Sequence, residues 1–88
     1  MLFRSLKTNV KTIDNGLELV KALRGVFFDK IDTGEAGVGV IAQELQKVLP
    51  QLVTDNDGTL SVAYGNIVGV LIEAIKTLSD KIDELERK

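Results

Sequence analysis

The chain has 88 residues, a net charge of −2, and neither Cys nor His. One small domain fits in that length, and a chain of this size buries only roughly 60–65% of its unfolded surface. Disulfides, Cys-based metal sites and Ser-His-Asp chemistry are excluded, so the remaining staple for so small a fold is association with other copies. The pI near 5.0 argues against a nucleic-acid partner. Charge is uneven: residues 1–24 carry five basic and two acidic groups, whereas residues 25–88 carry six and eleven. Two readings of the basic start stand open, docking on the acidic remainder or a solvated segment.

Hydrophobic residues make up 44% of the chain, too many for a disordered one. No apolar run reaches the length of a membrane span, and Met1–Arg4 is too short a start for a signal peptide. No membrane partner is expected.

The first helix is expected over 14–24. Asp14 or Asn15 would cap it, Leu17, Val20, Ala22 and Leu23 recur at helical spacing, and Gly25 would stop it. Val26–Asp29 reads as a strand, residues 32–37 as a loop, and Val38–Ile41 as a second short strand. Residues 42–49 are mostly good helix formers, with Ile41, Leu45, Val48 and Leu49 on one face, and Pro50 ends them. Asp57-Gly58 is the strongest turn signal, which predicts a hairpin pairing residues near 52–54 with 60–63. Both helices before the hairpin are expected to pack on the short strands.

The last segment, from about Asn66 to Arg87, holds Val68, Leu71, Ile75, Leu78, Ile82 and Leu85 at intervals of 3, 4, 3, 4 and 3. This is a heptad seam with Val68, Ile75 and Ile82 at a and Leu71, Leu78 and Leu85 at d. A helix of ~22 residues is roughly 33 Å long. Ile67 and Ala74 fall at g and Ile72 at e, which widens the apolar stripe. Further on, Lys81 at g and Glu86 at e suit pairing between helices. A simpler reading stays open, in which the stripe is one face of an amphipathic helix on a monomeric core. Strand number is open too: β-branched a with Leu at d favours dimers, and apolar e and g positions favour trimers.

Little catalytic chemistry is written here. Asp55, Asp57 and Gly58 read as a turn rather than a calcium loop, and Gly34, Gly37 and Gly39 do not make a phosphate loop. Ser–Lys chemistry is the one nucleophilic option left. Ser5 and Lys7 are close in sequence, but read best as a loop residue and a solvated cation.

An ordered set of stretches resembles a known family. Gly39-Val40-Ile41-Ala42-Gln43-Glu44-Leu45, then Val48-Leu49-Pro50 and Val53, resembles the G-[FV]-I-A-Q-E-[VL]…[VL]-P-x-[LV]-V signature. That signature belongs to the C-terminal intramolecular chaperone domain of phage tail fibres, tailspikes and endosialidases, also called the S74 peptidase domain. Leu6–Val10 resembles its opening, Ile13–Phe28 its helix and aromatic strand, and Leu60–Tyr64 with Leu71–Leu78 its closing strand and helix.

The resemblance implies an α+β domain over 1–88, with a small body at 1–64 and a helix at 65–88 that forms a trimeric coiled coil. It implies a homotrimer, with Val68, Leu71, Ile75, Leu78, Ile82 and Leu85 as the interface, that brings an upstream fibre or spike part of the same polypeptide into register. It also implies assembly in the host cytoplasm and release from the mature virion tail by autoproteolysis, using a Ser nucleophile and a Lys five residues later. No cofactor and no metal are expected. Lys7 matches the family lysine, but Leu2 stands at the nucleophile position and Phe3 replaces the usual Asp. Ser5 is only two residues from Lys7 and is not the family nucleophile. The chain is therefore expected to be cleavage-incompetent. The competing functions are a generic coiled-coil adaptor, or an active self-cleaving serine peptidase if a parent carries Ser where Leu2 stands.

Overall fold

A computed structural model describes residues 6–87. Leu2, Phe3 and Ser5 lie outside those residues. The elements run α1 (Gly16–Lys21), β1 (Val26–Asp29), β2 (Ala36–Gly39), α2 (Ala42–Val48), a 3-10 turn (Pro50–Leu52), β3 (Val53–Asn56), β4 (Thr59–Val62) and α3 (Tyr64–Glu86). The class is α+β, with short strands and helices followed by one long C-terminal helix.

Helix α1 is shorter than the expected 14–24. Asn15 stands at its N-cap, but its side chain makes no capping bond. The helix ends at Lys21, well before Gly25, because the last turn tightens: the Ala22 and Leu23 amides donate to Leu19 and Val20 carbonyls, three residues back. Gly25 therefore does not act as the stop.

Strands β1 and β2 pair antiparallel, Val26 opposite Gly39 and Phe28 opposite Gly37. The second strand lies two residues earlier than the expected 38–41. The connection closes quickly, since the Lys30 amide donates to the Glu35 carbonyl (2.8 Å) and Gly34 takes φ +73°. That turn frees Ala36 and Gly37 for the ladder. Val40 and Ile41 instead lead into α2, where the Ile41 carbonyl accepts from the Glu44 and Leu45 amides at 3.0 Å.

Helix α2 presents Leu45, fully buried, with Ile41, Val48 and Leu49 half-buried beside it. Pro50 forces Leu49 out of helical geometry, to φ −136° and ψ 73°, and opens the 3-10 turn. The expected hairpin forms, with Val53 opposite Val62 and Asn56 opposite Thr59. Asp57 and Gly58 both adopt positive φ, +54° and +88°, the signature of a two-residue turn matched to strand twist. The Gly58 amide donates to Asp55 Oδ1 at 2.8 Å, so these acidic residues are turn residues.

Helix α3 starts at Tyr64, two residues before the expected Asn66, and runs 23 residues. The packing of α1 corrects the sequence expectation. It lies mainly along α3 rather than on the strands, whereas α2 packs on the β3–β4 hairpin. The reason is Gly16. A side chain there would place Cβ 2.9 Å from the Ala74 amide nitrogen and 3.0 Å from the Val70 carbonyl oxygen. Only a glycine lets the two backbones approach so closely, and Val70 and Ala74 are buried by that contact. Leu45, Val70 and Ala74 are the buried hydrophobic residues among the described residues.

Candidate functional site

The seam is built by α3 alone, because intervals of 3 and 4 keep its residues on one stripe of a 3.6-residue helix. Two apolar stripes coexist on this helix. Ile67, Val70, Ala74 and Thr77, at g and c, turn toward the body and are buried or half-buried. Val68, Leu71, Ile75, Leu78, Ile82 and Leu85 are all exposed, between 40% and 66%. The open alternative of a stripe used as monomer core is thereby corrected: the body occupies the neighbouring stripe and leaves the a and d positions uncovered. From Leu78 to Arg87 every residue is exposed, so the end of α3 stands clear of the body. Isolated helical turns are marginal in water, and no other element of the described chain covers these.

Area says the same. A compact monomer of 9.6 kDa exposes about 5,100 Å². This chain exposes 7590 Å². Its radius of gyration is 16.6 Å, against about 12 Å for a compact domain of this length.

The start of α3 is fixed in place by the motif residues. The Tyr64 ring lies over Gly39, where an added Cβ would collide with the Tyr64 hydroxyl oxygen. The Val40 amide donates to that same oxygen over 3.4 Å. Five residues further into the motif, Glu44 takes a two-pronged bond from Arg24, Nε to Oε1 and Nη2 to Oε2, both at 2.8 Å. That hydrogen bond holds the Glu44 carboxyl below the usual carboxylate range and pushes the Arg24 guanidinium up. Both side chains are largely exposed, so the fork orients α2 against the α1–β1 connection more than it stabilises the fold. Gly39 and Val40 thus seat the start of α3, and Glu44 and Leu45 place α2 in the body.

Beside the seam lies an open apolar groove of about 500 Å³ between α1, β2 and the first turns of α3. Val20, Leu23, Val40, Tyr64, Ile67 and Leu71 line it. Leu71 belongs to both the groove and the seam, so the two surfaces are continuous.

The other candidate, Lys7, is exposed on the stretch before α1, where residues 6–12 are exposed throughout. It is not brought to the seam. Leu2, its expected counterpart, lies outside the described residues. Among the described residues no cluster could hold a metal ion, and no helix is long and apolar enough to cross a membrane.

Sequence reasoning missed Val70 as a core residue and the Gly16–Ala74 contact. No local signal marks either, since Gly16 is the first residue of α1, where the cost of a glycine inside a helix does not apply.

These features define a class, a small α+β domain ending in a long helix whose heptad seam is uncovered. A family model described as "Chaperone of endosialidase" (peptidase S74) matches residues 4–54, more than half of the chain. The chain belongs to that family. It is also similar to proteins named long tail fiber protein Gp37. It is 41% identical to that of Enterobacteria phage K3 over 94% of this chain and 8% of the relative. It is 35% identical to that of Enterobacteria phage M1 over 92% of this chain and 37% of the relative. It is 30% identical to that of Salmonella phage S16 over 97% of this chain and 13% of the relative. The chain therefore spans less than a tenth of the length of the phage K3 protein.

Proposed function

We propose that this chain is the trimerisation and folding chaperone domain of a phage tail fibre or tailspike. Three copies associate through Val68, Leu71, Ile75, Leu78, Ile82 and Leu85 and hold the upstream parts of three polypeptides in register. The observation that carries this reading is the uncovered seam on a helix whose adjacent stripe is already committed to the body. The physics of the client agrees. Long β-structured trimers depend on non-local pairings, and loop-closure entropy opposes these until the contacts form. A small domain that associates first raises the effective concentration of the attached strands.

In this reading the chain acts in the cytoplasm of the host during virion assembly. Domains of this kind are normally released from the finished tail by self-cleavage, which leaves the client with kinetic rather than equilibrium stability. Lys7 is the retained half of the self-cleavage pair, and Leu2 in the nucleophile position leaves the chain unable to cleave itself. Leucine has no hydroxyl for a lysine base to activate.

Sedimentation equilibrium over a range of concentrations tests the central claim. A mass three times that of the chain is expected. A dimer would favour a generic coiled-coil adaptor, and a monomer at all concentrations would overturn the association reading. A peptide of residues 64–88 that formed the same oligomer as the whole chain would remove the body from the argument. Intact-mass measurement on prolonged incubation is expected to show no self-cleavage, and loss of the residue before position 2 would contradict that.

A further inference from the structure

We propose that Ile72 of each copy seats in the groove between α1 and α3 of its neighbour, in a parallel, in-register pairing of the α3 helices. The proposal rests on the association reading above and names the contact that joins one copy's body to the next copy's helix.

The argument begins with what the body covers. On α3 the g flank lies against α1, while the e flank faces away: Ile67 is half-buried and Ile72 is 50% exposed. Each helix thus has one flank backed by its own body and one bare flank. In parallel heptad pairing a g residue faces the e residue five positions later on the partner helix. Two such pairs on α3 are open to a partner. Ile67 faces the partner's Ile72 and Lys81 faces the partner's Glu86, whereas Ala74, the g residue between them, is buried under its own α1. The first pair is apolar on both sides and the second opposite in charge. An antiparallel seam would instead set g against g, and Ile67 would meet the partner's Lys81. Side-chain chemistry selects the parallel arrangement.

The groove supplies the receiving site. Ile67 and Leu71 form its α3 wall, and Val20, Leu23 and Val40 complete it from the body. In knobs-into-holes packing Leu71, at d, inserts beside the e residue of the partner helix, so both α3 residues of the wall are neighbours of the partner's Ile72. A space of about 500 Å³ is ample for a branched aliphatic side chain and the turn that carries it. The contact is heterologous: the bare flank of one copy meets the backed flank of the next, and repetition around a ring satisfies every copy.

The full chain provides the test, since both its body and its helix are needed. Equal amounts of isotope-labelled and unlabelled chain are mixed, and methyl contacts between copies are recorded by isotope-filtered NOE. Cross-peaks from Ile72 of one copy to Ile67 and Leu23 of another are expected, together with contacts across the seam at Ile75. Seam contacts without the Ile72 contacts would overturn this proposal and leave association standing. A monomer at every concentration would overturn association, and this contact with it. Two variants sharpen the result. Ile72→Glu is expected to weaken association about tenfold or more, and Ile72→Val to stay within about threefold of the parent. Ile72 is exposed in the single chain, so both variants keep the monomer fold, which circular dichroism checks. Unchanged association of Ile72→Glu would overturn the proposal.

Discussion

On one flank of α3, Val70 and Ala74 are buried under α1; about a third of a turn away, Ile75 and Leu78 stand open to solvent. Apolar character alone does not separate these sets, and the more hydrophobic one is outside. What separates them is the shape of the partner surface. Gly16 allows a close backbone crossing only over small or slender residues, so Ala74 and Val70 take that contact. The larger Leu and Ile side chains, spaced for helix-on-helix packing, are left uncovered. Size pattern, rather than hydrophobicity, sorts the covered from the uncovered stripe on this helix.

That contrast can be broken from either side. The largest effect is expected from Ile75→Glu, which places a charge in the middle of the seam. Association should fall by about 100-fold or more, while the circular dichroism of the monomer keeps its helical signal. Equal loss of helix content in dilute samples would mean that the seam belongs to the body after all.

Gly16→Ala attacks the other flank. The new methyl meets backbone atoms of α3, which cannot turn aside as a side chain can. Destabilisation of about 1–3 kcal/mol is expected in urea unfolding, with spectral change near Val70 and Ala74. A neutral result would show that α1 can slide along α3 without loss.

The smallest effect is expected at the Arg24–Glu44 fork. The carboxyl of Glu44 is held below its ordinary range in the folded chain, so its contribution is present above the unfolded carboxylate range. It is lost as pH falls through the lowered folded value. Comparing the parent with Glu44→Gln should therefore show a small stability difference near neutrality that vanishes in acid. A difference that persists below the carboxylate range would assign the role to packing of α2.

Much of this was legible in the sequence because it is local. The β3–β4 hairpin follows from Asp57-Gly58, the end of α2 from Pro50, and the length of α3 from its period. Heptad spacing named six residues, and all six lie on one uncovered stripe. The errors came where a distant partner decides. Helix α1 packs along α3, far off in the sequence, rather than on the strands, and Val70 is core only because Gly16 lies above it. Nothing within a local window carries that information. The shift of β2 to Ala36–Gly39 has a similar origin, since the register is set by the Lys30–Glu35 closure and by Phe28 lying over Gly37. The role of the motif glycine Gly39, beneath the ring of Tyr64 far along the chain, was equally out of reach.

Helix α3 serves both as a wall of its own body and as the carrier of the seam. In the proposed assembly, folding and association of this domain are linked through a single element. Any partner that binds the folded helix draws the folding equilibrium with it, by an amount set by mass action. The melting temperature should accordingly rise with chain concentration, and a chain too dilute to find its neighbours should also be the one that holds its own body least firmly. In that assembly the domain would report on company as well as on conformation, its stability being a property of the local population of chains.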